Sequence, residues 1–284
     1  YEIYMGDWSS DVCSSDRVGA AGVSEVRLPA AVAVGNGYGK LVGSTQVEEL
    51  GVLETPILLT GTLSVFRVAD ALVTWLLERD PDATSLNPVV GETNDGFLSD
   101  IRRRPITPEH VFAALNEASA DLPAEGCVGA GTGTAALGFK AGIGTSSRVA
   151  SEGTIGVLVQ ANFSGTLTVL GTPIAAPQAI GTPGGNSCMI VVATDLPLDA
   201  RQLGRVARRA IFAMGRVGSD FAPGSGDYAI AFSTATSSPA PADWPILGDL
   251  FPAVTEATEE ALLNSLTMAH RDRKSTRLNS SHPY

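Results

Sequence analysis

Residues 184–195 read GGNSCMIVVATD, where a glycine-rich loop gives way to an apolar run. The run from Met189 to Thr194 is rich in β-branched residues and has polar neighbours, which is typical of a buried strand. Three other segments share these features and are predicted as strands: Ala30 to Val34, Gly156 to Asn162 and Tyr228 to Ser233. The loop before Met189 therefore leads directly into the core of the protein.

Four predicted helices are interspersed with these strands. Leu63 to Glu78 carries apolar side chains on one face at helical spacing. Thr107-Pro108-Glu109 predicts a helix start, with a capping threonine, a proline at the first position and an acid near the positive end of the helix dipole. Two more helices are predicted, one that begins near Asp199 and one over about Phe251 to Met268. Helices that alternate with strands, without internal repeats, predict a layered α/β fold.

The composition argues against two classes of partner. The chain has 284 residues, and its 19 basic and 30 acidic side chains give a net charge of −11. Such a surface repels nucleic acid and anionic membranes, so no nucleic acid and no membrane is expected as a partner. Apolar runs reach only about five or six residues, far below the roughly 18 that a membrane span requires. We therefore expect a soluble globular protein.

The two ends of the chain differ from its middle. Residues 1–16 and 273–284 have no apolar periodicity, and both resemble translated sequencing-adapter text. Residues 17–272 are therefore predicted to form the domain, truncated at both natural ends. With the natural start missing, the expected compartment stays open between the cytoplasm and the periplasm of a bacterial-type cell.

Neither a metal nor a cofactor is expected. Between the tails the cysteines are Cys127 and Cys188, which lack the spacing of a zinc site or a disulfide framework, and His110 is the only histidine well inside the domain. The glycine-rich stretch 129–144 lacks both the lysine position of a phosphate-binding loop and the spacing of a dinucleotide fingerprint. Its glycines are interpreted as positions where the backbone comes close to other atoms.

A hydrolase with so few histidines needs another general base. One such base is the α-amino group of a chain that begins at its own nucleophile, and its pKa of about 7.7–8.0 suits base catalysis near neutrality. The amine is created by a cut before a serine, threonine or cysteine that joins a flexible loop to a buried strand. Ser187 occupies such a position, although a simple turn serine would give the same local pattern.

Six further segments together resemble a known family. They are QVEELGVLETP (46–56), PVVGETNDG (88–96), VGAGTG (128–133), GFKAGIGTSSR (138–148), VLVQANF (157–163) and GSGDY (224–228). In this order they are similar to the L-aminopeptidase/D-esterase family, which includes the β-peptidyl aminopeptidases, from about Val23 to Asp272. The resemblance implies a four-layer α-β-β-α sandwich similar to that of N-terminal nucleophile hydrolases, with a different connectivity.

The same resemblance implies roles for individual residues. Members cut themselves once, which here implies a break between Asn186 and Ser187, with an α chain that ends at residue 186 and a β chain that starts at 187. Ser187 would be the nucleophile, and its freed amine the base. Asn162 matches a donor of the oxyanion hole, and Ser225 and Asp227 match the pair that orients and polarises the terminal serine.

The implied function is that of a self-processing serine aminopeptidase or amidase. It would release N-terminal residues from small peptides, amides or esters through an acyl-enzyme, with Glu92 as the candidate carboxylate for the substrate ammonium. A homo-oligomer of processed units is expected. The alternatives are an autoprocessed acyltransferase of similar fold and a non-catalytic binding domain. The chain departs from some members at residues 135–137, where AAL stands in place of a segment with a tyrosine.

Overall fold

The structure, a computed structural model, describes residues 27–119, 121–150, 153–176, 186–235 and 244–269, without the side chains of 186 and 244–246. The helices are α1 Ser44–Leu50, α2 Val65–Leu77, α3 Pro108–Asn116, α4 Ala200–Arg216 and α5 Trp244–Thr267. The strands are β1 Leu28–Gly37, β2 Leu41–Val42, β3 Val52–Leu53, β4 Ile57–Gly61, β5 Val89–Thr93, β6 Ala135–Ala136, β7 Phe139–Lys140, β8 Ile143–Ala150, β9 Gly153–Asn162, β10 Thr168–Val169, β11 Thr172–Pro173, β12 Asn186–Thr194 and β13 Ser225–Ser233. The predicted tails, 1–16 and 273–284, lie outside the described residues, as do positions 177–185 of the loop before Ser187.

A six-stranded sheet forms the centre of the molecule. Its strands lie in the order β3-β1-β13-β12-β9-β8. The strand that follows the glycine-rich loop, β12, is parallel to β13 on one side and antiparallel to β9 on the other. Helices α4 and α5 pack on one face of this sheet. The start of β12 is therefore held by hydrogen-bonded strands on both sides.

A smaller sheet covers the other face. It has three strands in the order β2-β5-β4, and its outer face packs against α2 and α3. The layers thus run helix, sheet, sheet, helix. This arrangement confirms the predicted α-β-β-α sandwich.

Strand alternation assigns the residues of β12 to the two faces of the main sheet. Cys188 and Ile190 pack in the apolar core beneath α4 and α5. Met189 and Val191 pack in the core between the two sheets. Odd-numbered residues of β12 therefore face the smaller sheet, and this alternation also sets the direction of Ser187.

The backbone of α5 lies directly against the backbone of β8. A Cβ atom at Gly144 would lie only 2.0 Å from the carbonyl oxygen of Ala261 and 2.5 Å from the nitrogen of Ser265. Only glycine fits such a contact without a shift of the helix. The interpretation of this glycine as a close-approach position is confirmed.

The four predicted strands and the predicted helix starts at Thr107 and Asp199 are confirmed. Thr107 forms a capping box with His110, and Asp199 accepts a hydrogen bond from the Gln202 N–H at 2.6 Å. The last helix begins earlier than predicted, at Trp244 rather than near Phe251, because Leu247 and Leu250 pack in the core with the rest of the helix, which continues through Pro252. In the described part of the chain, no helix combines the length and hydropathy that crossing a membrane requires.

Candidate active site

Ser187 lies at the start of β12, opposite the predicted site residue Asn162. Its backbone pairs with Asn162 on β9 and with Gly226 on β13. Ser187 and Asn162 are 2 % and 1 % exposed. Because directly opposed residues of an antiparallel pair point to the same face, both side chains face the space between the sheets. The structure therefore brings the predicted nucleophile and oxyanion donor together.

The side-chain amide of Asn162 is held in one orientation. Its Oδ1 accepts a hydrogen bond from the Ala135 N–H at 3.1 Å, and its Nδ2 donates to the Asn94 carbonyl oxygen at 2.8 Å. An amide nitrogen carries two protons, so one proton is left for a ligand beside Ser187. No tyrosine enters from residues 135–137; the ring of Tyr228 lies beside Gly226 instead, where a Cβ would be 3.1 Å from it.

Ser225 and Asp227 form the predicted pair on β13. The Ser225 hydroxyl donates to Asp227 Oδ1 at 2.6 Å, and Asn36 donates to Asp227 Oδ2 at 3.3 Å. Both members of the pair are buried. Burial raises the pKa of Asp227, although the hydrogen bonds from Ser225 and Asn36 oppose this shift.

This pair lies on the helix-facing side of the main sheet. Ala229 and Ala231 of β13 pack in the core beneath α4 and α5, so alternation turns Ser225 and Asp227 to that same face. Asp227 lies opposite Cys188 and accepts its backbone N–H. The pair is thus next to the main chain of β12, one residue beyond Ser187.

Glu92 lies on β5 and is 2 % exposed. Its Oε1 accepts hydrogen bonds from the Lys40 backbone at 3.0 Å and from the Lys40 ammonium at 3.2 Å. Its Oε2 is buried and has no hydrogen-bond partner in the described part of the chain. Glu92 therefore has one occupied and one available oxygen.

Gly39 packs between Glu92 and β13, the strand that pairs with Ser187. A Cβ at Gly39 would lie 3.2 Å from Glu92 Oε1 and 3.0 Å from the Cα of Gly226, the partner of Ser187 in the sheet. The predicted carboxylate therefore lies near the part of β13 that pairs with Ser187.

Sequence reasoning missed three residues that shape this site, namely Asn36, Lys40 and Asn94. Asn36 and Lys40 flank a glycine-rich turn after β1, and Asn94 directly follows β5. Their positions as polar residues at the ends of strands could have marked them as candidates. However, each forms a hydrogen bond with a residue that is far away in the sequence. Among the described residues, no cluster of three or more histidine, cysteine or acidic side chains could hold a metal ion.

Comparison with known proteins identifies the family of the chain. Residues 18–277 match the family model of peptidase family S58. The chain belongs to this family. The predicted family resemblance is confirmed, and so is the prediction of a peptide-bond hydrolase of the serine aminopeptidase/amidase class.

Three relatives show how close this S58 peptidase is to known members. It is 42 % identical over 270 residues to "Beta-peptidyl aminopeptidase BapA" of Sphingosinicella xenopeptidilytica, which covers 82 % of this chain and 67 % of that one. The PH0078 protein of Pyrococcus horikoshii OT3 has a TM-score of 0.80 at 41 % identity, over 88 % of this chain and 76 % of that one. The L-aminopeptidase D-Ala-esterase/amidase of Ochrobactrum anthropi has a TM-score of 0.76 at 33 % identity, over 89 % and 80 %. That enzyme is described as a prototype of the serine aminopeptidases and a variant of the Ntn hydrolase fold.

Proposed function

We propose that this S58 peptidase cuts itself between Asn186 and Ser187 and then uses Ser187 to release N-terminal residues from small peptides, amino-acid amides or esters. The observation that carries the proposal is the position of Ser187. It is the second residue of a strand paired on both sides, and it lies opposite an oriented, buried amide.

The cut would proceed by an acyl shift within the chain. The Ser187 hydroxyl attacks the Asn186 carbonyl carbon, and the peptide nitrogen leaves with the proton, so the amide becomes an ester and Ser187 gains a free amine. Water then adds to the ester carbonyl, which regenerates the hydroxyl and leaves a carboxylate on Asn186. Because β12 is hydrogen bonded to β9 and β13, the new terminus would stay in place.

The freed amine would serve as the general base. Ser225 gives its proton to Asp227, so its oxygen is left to accept an N–H from a nearby amine. The pair lies beside the main chain at the start of β12, where this amine would form. We infer that Ser225 and Asp227 orient the amine so that its lone pair is directed towards the Ser187 hydroxyl.

Asn162 would stabilise the tetrahedral intermediate. One Nδ2 proton is used by the Asn94 carbonyl, and the second would be donated to the oxyanion that forms on the substrate. A donor held in place in advance needs no reorganisation during the reaction, which is why such groups contribute strongly to catalysis.

Glu92 would bind the substrate ammonium through Oε2, the oxygen that has no partner among the described residues. A buried carboxylate oxygen without a partner is costly, and a charge-assisted hydrogen bond from an ammonium would offset that cost. This contact makes a free amino end a requirement for good substrates.

Two broader statements accompany the proposal. The net charge of −11 argues against nucleic acid and anionic membranes as partners. Exposed apolar side chains such as Phe66 and Phe212, at 66 % and 60 %, provide surface through which processed units could form a homo-oligomer.

Denaturing gel electrophoresis of the purified full chain tests the proposal. Two fragments are expected, and N-terminal sequencing of the second is expected to begin Ser-Cys-Met-Ile. The Ser187→Ala variant is expected to stay intact and inactive, because it has no hydroxyl for the first step. Full activity from an uncut chain, or a cut at another bond, would contradict the mechanism.

A further inference from the structure

A small cavity lies beside Asp95, outside the group of residues assigned to the reaction. It has a volume of about 30 Å³ and is bounded by the end of β4, the loop after β5 and the turn at residues 129–131. Its lining includes Gly61, Ser64, Asp95, Ser99 and Thr132. A cavity needs roughly 10–15 Å³ to hold one water molecule, so this one has room for at least one species of about that size.

The carboxyl group of Asp95 presents an unused oxygen to this cavity. Asp95 is 8 % exposed, and its Oδ1 has no hydrogen-bond partner within the described ranges. A Cβ at Gly61 would lie 2.8 Å from this oxygen, so the glycine leaves open the space that Oδ1 faces. Ser99 donates a hydrogen bond to the carboxyl group from the other side.

No cation of the described residues makes an ion pair with Asp95. The nearby Lys140 ammonium donates instead to the carbonyl oxygens of Gly131 and Ala141. Burial raises the pKa of Asp95 and lowers that of Lys140, although each charge also attracts the other from a distance and opposes these shifts. A buried carboxylate that no cation contacts is stabilised either by protonation or by binding a cation.

Part of the lining suits a cation, beside the apolar side chains of Leu63, Ile101 and Ile106. Thr132 gives its proton to the Gly129 carbonyl at 2.8 Å, and Ser99 gives its proton to Asp95, so both hydroxyls keep lone pairs for a ligand. The second carboxylate on the rim, Asp100, is exposed and already pairs with Arg103 at 3.0 Å. Lys140 offsets the charge of Asp95 from a distance, and a cation in contact with Asp95 Oδ1 would balance it directly.

We propose that this cavity is a binding site for one monovalent cation of the size of potassium or ammonium, held by Asp95 Oδ1 and the surrounding hydroxyl oxygens. The site is separate from Ser187 but connected to Asn162. The Asp95 carbonyl accepts the N–H groups of Leu98 and Ser99, and the preceding residue, Asn94, holds the Asn162 amide. A bound cation would therefore stiffen the turn that orients this amide.

Thermal unfolding of the full chain tests the binding without any activity assay. The wild type is compared in potassium, ammonium and choline chloride at equal ionic strength, since choline is too large for the cavity. Potassium or ammonium is expected to raise the Tm by about 2–4 °C over choline, the shift for a site near saturation in a protein of this size. Asp95→Asn is expected to abolish the difference, whereas Asp70→Asn, at an exposed position, is expected to keep it.

Diffraction from crystals soaked in thallium(I) gives a direct view. An anomalous peak beside Asp95 Oδ1 is the expected result. Equal Tm values in all three salts, together with no anomalous peak, would overturn the proposal, since Asp95 would then be protonated or bound to water.

Discussion

At the scale of single residues, the site depends on contacts that join distant parts of the chain. Asn162 is oriented by Ala135 and by Asn94, and Glu92 is held by Lys40. The types and positions of Ser187, Asn162 and Glu92 were predictable because they lie in recognisable segments. Lys40 and Asn94 were not, because their partners lie 50 or more residues away in the sequence and no local pattern encodes these contacts.

Replacement of Asn162 by alanine is expected to lower kcat by roughly 10²–10³-fold, because the oxyanion would lose a donor fixed in advance. Steady-state kinetics on an amino-acid anilide measures the effect. Asn264→Ala is the matched control, since this side-chain amide also donates to a backbone carbonyl, that of Thr145, but lies on α5. Near-wild-type turnover of Asn162→Ala would remove Asn162 from the oxyanion hole.

Glu92→Gln is expected to raise KM for substrates with a free amino end by about 10- to 100-fold, the loss of one hydrogen bond between charged groups. An N-acetylated substrate, which has no ammonium, is expected to be poor for the wild type and to be affected little by the change. Glu54→Gln provides the control, because Glu54 also accepts two hydrogen bonds, from Asn87. Equal rates of the wild type on acetylated and free substrates would contradict the role of Glu92.

The raised pKa of Asp227 predicts a pH dependence of stability. Burial raises this pKa above its ordinary value of 3.8, so the folded state holds the proton more tightly than the unfolded state. The stability that Asp227 contributes is therefore present below about pH 3.8 and lost as the pH rises through the raised pKa. The free energies of unfolding of Asp227→Asn and of the wild type are measured by urea titration. The difference between them is expected to shift in favour of the variant as the pH rises through that window, and to be constant at higher pH. A constant difference at every pH would contradict the shift.

At the scale of secondary-structure elements, the apolar strands of the central sheet were predictable and several others were not. β12 and β13 are short runs of apolar residues with clear boundaries. In contrast, β8 has the sequence IGTSSRVA, whose polar residues do not predict a strand. The close contact of Gly144 with α5 stabilises it. Tertiary contact therefore outweighed local propensity there.

Gly144→Ala is expected to lower the free energy of unfolding by about 1–3 kcal/mol, because the added methyl forces α5 away from β8. Chemical denaturation measures this change. Gly248→Ala is the control. Gly248 lies in α5, and a Cβ there would meet no atom within 4 Å. This substitution is expected to raise the free energy of unfolding by roughly 0.5–1 kcal/mol. Equal changes in the free energy of unfolding for the two substitutions would show that the close contact at Gly144 does not restrict the side chain there.

At the scale of the whole molecule, the central sheet interleaves the two parts of the chain that the proposed cut separates. Strands β12 and β13 come from the part after the cut, and β1 and β9 from the part before it flank them on both sides. The four-layer order was predictable only through the family resemblance, because sheet order depends on pairings between segments far apart in sequence.

The cut is therefore expected to leave the molecule in one piece under native conditions. Size-exclusion chromatography is expected to give the same elution volume for the processed wild type and the uncut Ser187→Ala variant. A denaturing gel of the same peak is expected to separate the wild type into two fragments. Release of either fragment on the native column would contradict the interleaved sheet.

The interleaved sheet also makes refolding after the cut different from folding before it. An uncut chain refolds by a reaction of first order, whereas two separated fragments must first meet, so their refolding rate depends on concentration. Strands β12 and β13 of one fragment would have to insert between β1 and β9 of the other. Loss of structure after processing would then be effectively irreversible at low concentration, and the working lifetime of the enzyme would be set by how slowly it unfolds rather than by its equilibrium stability.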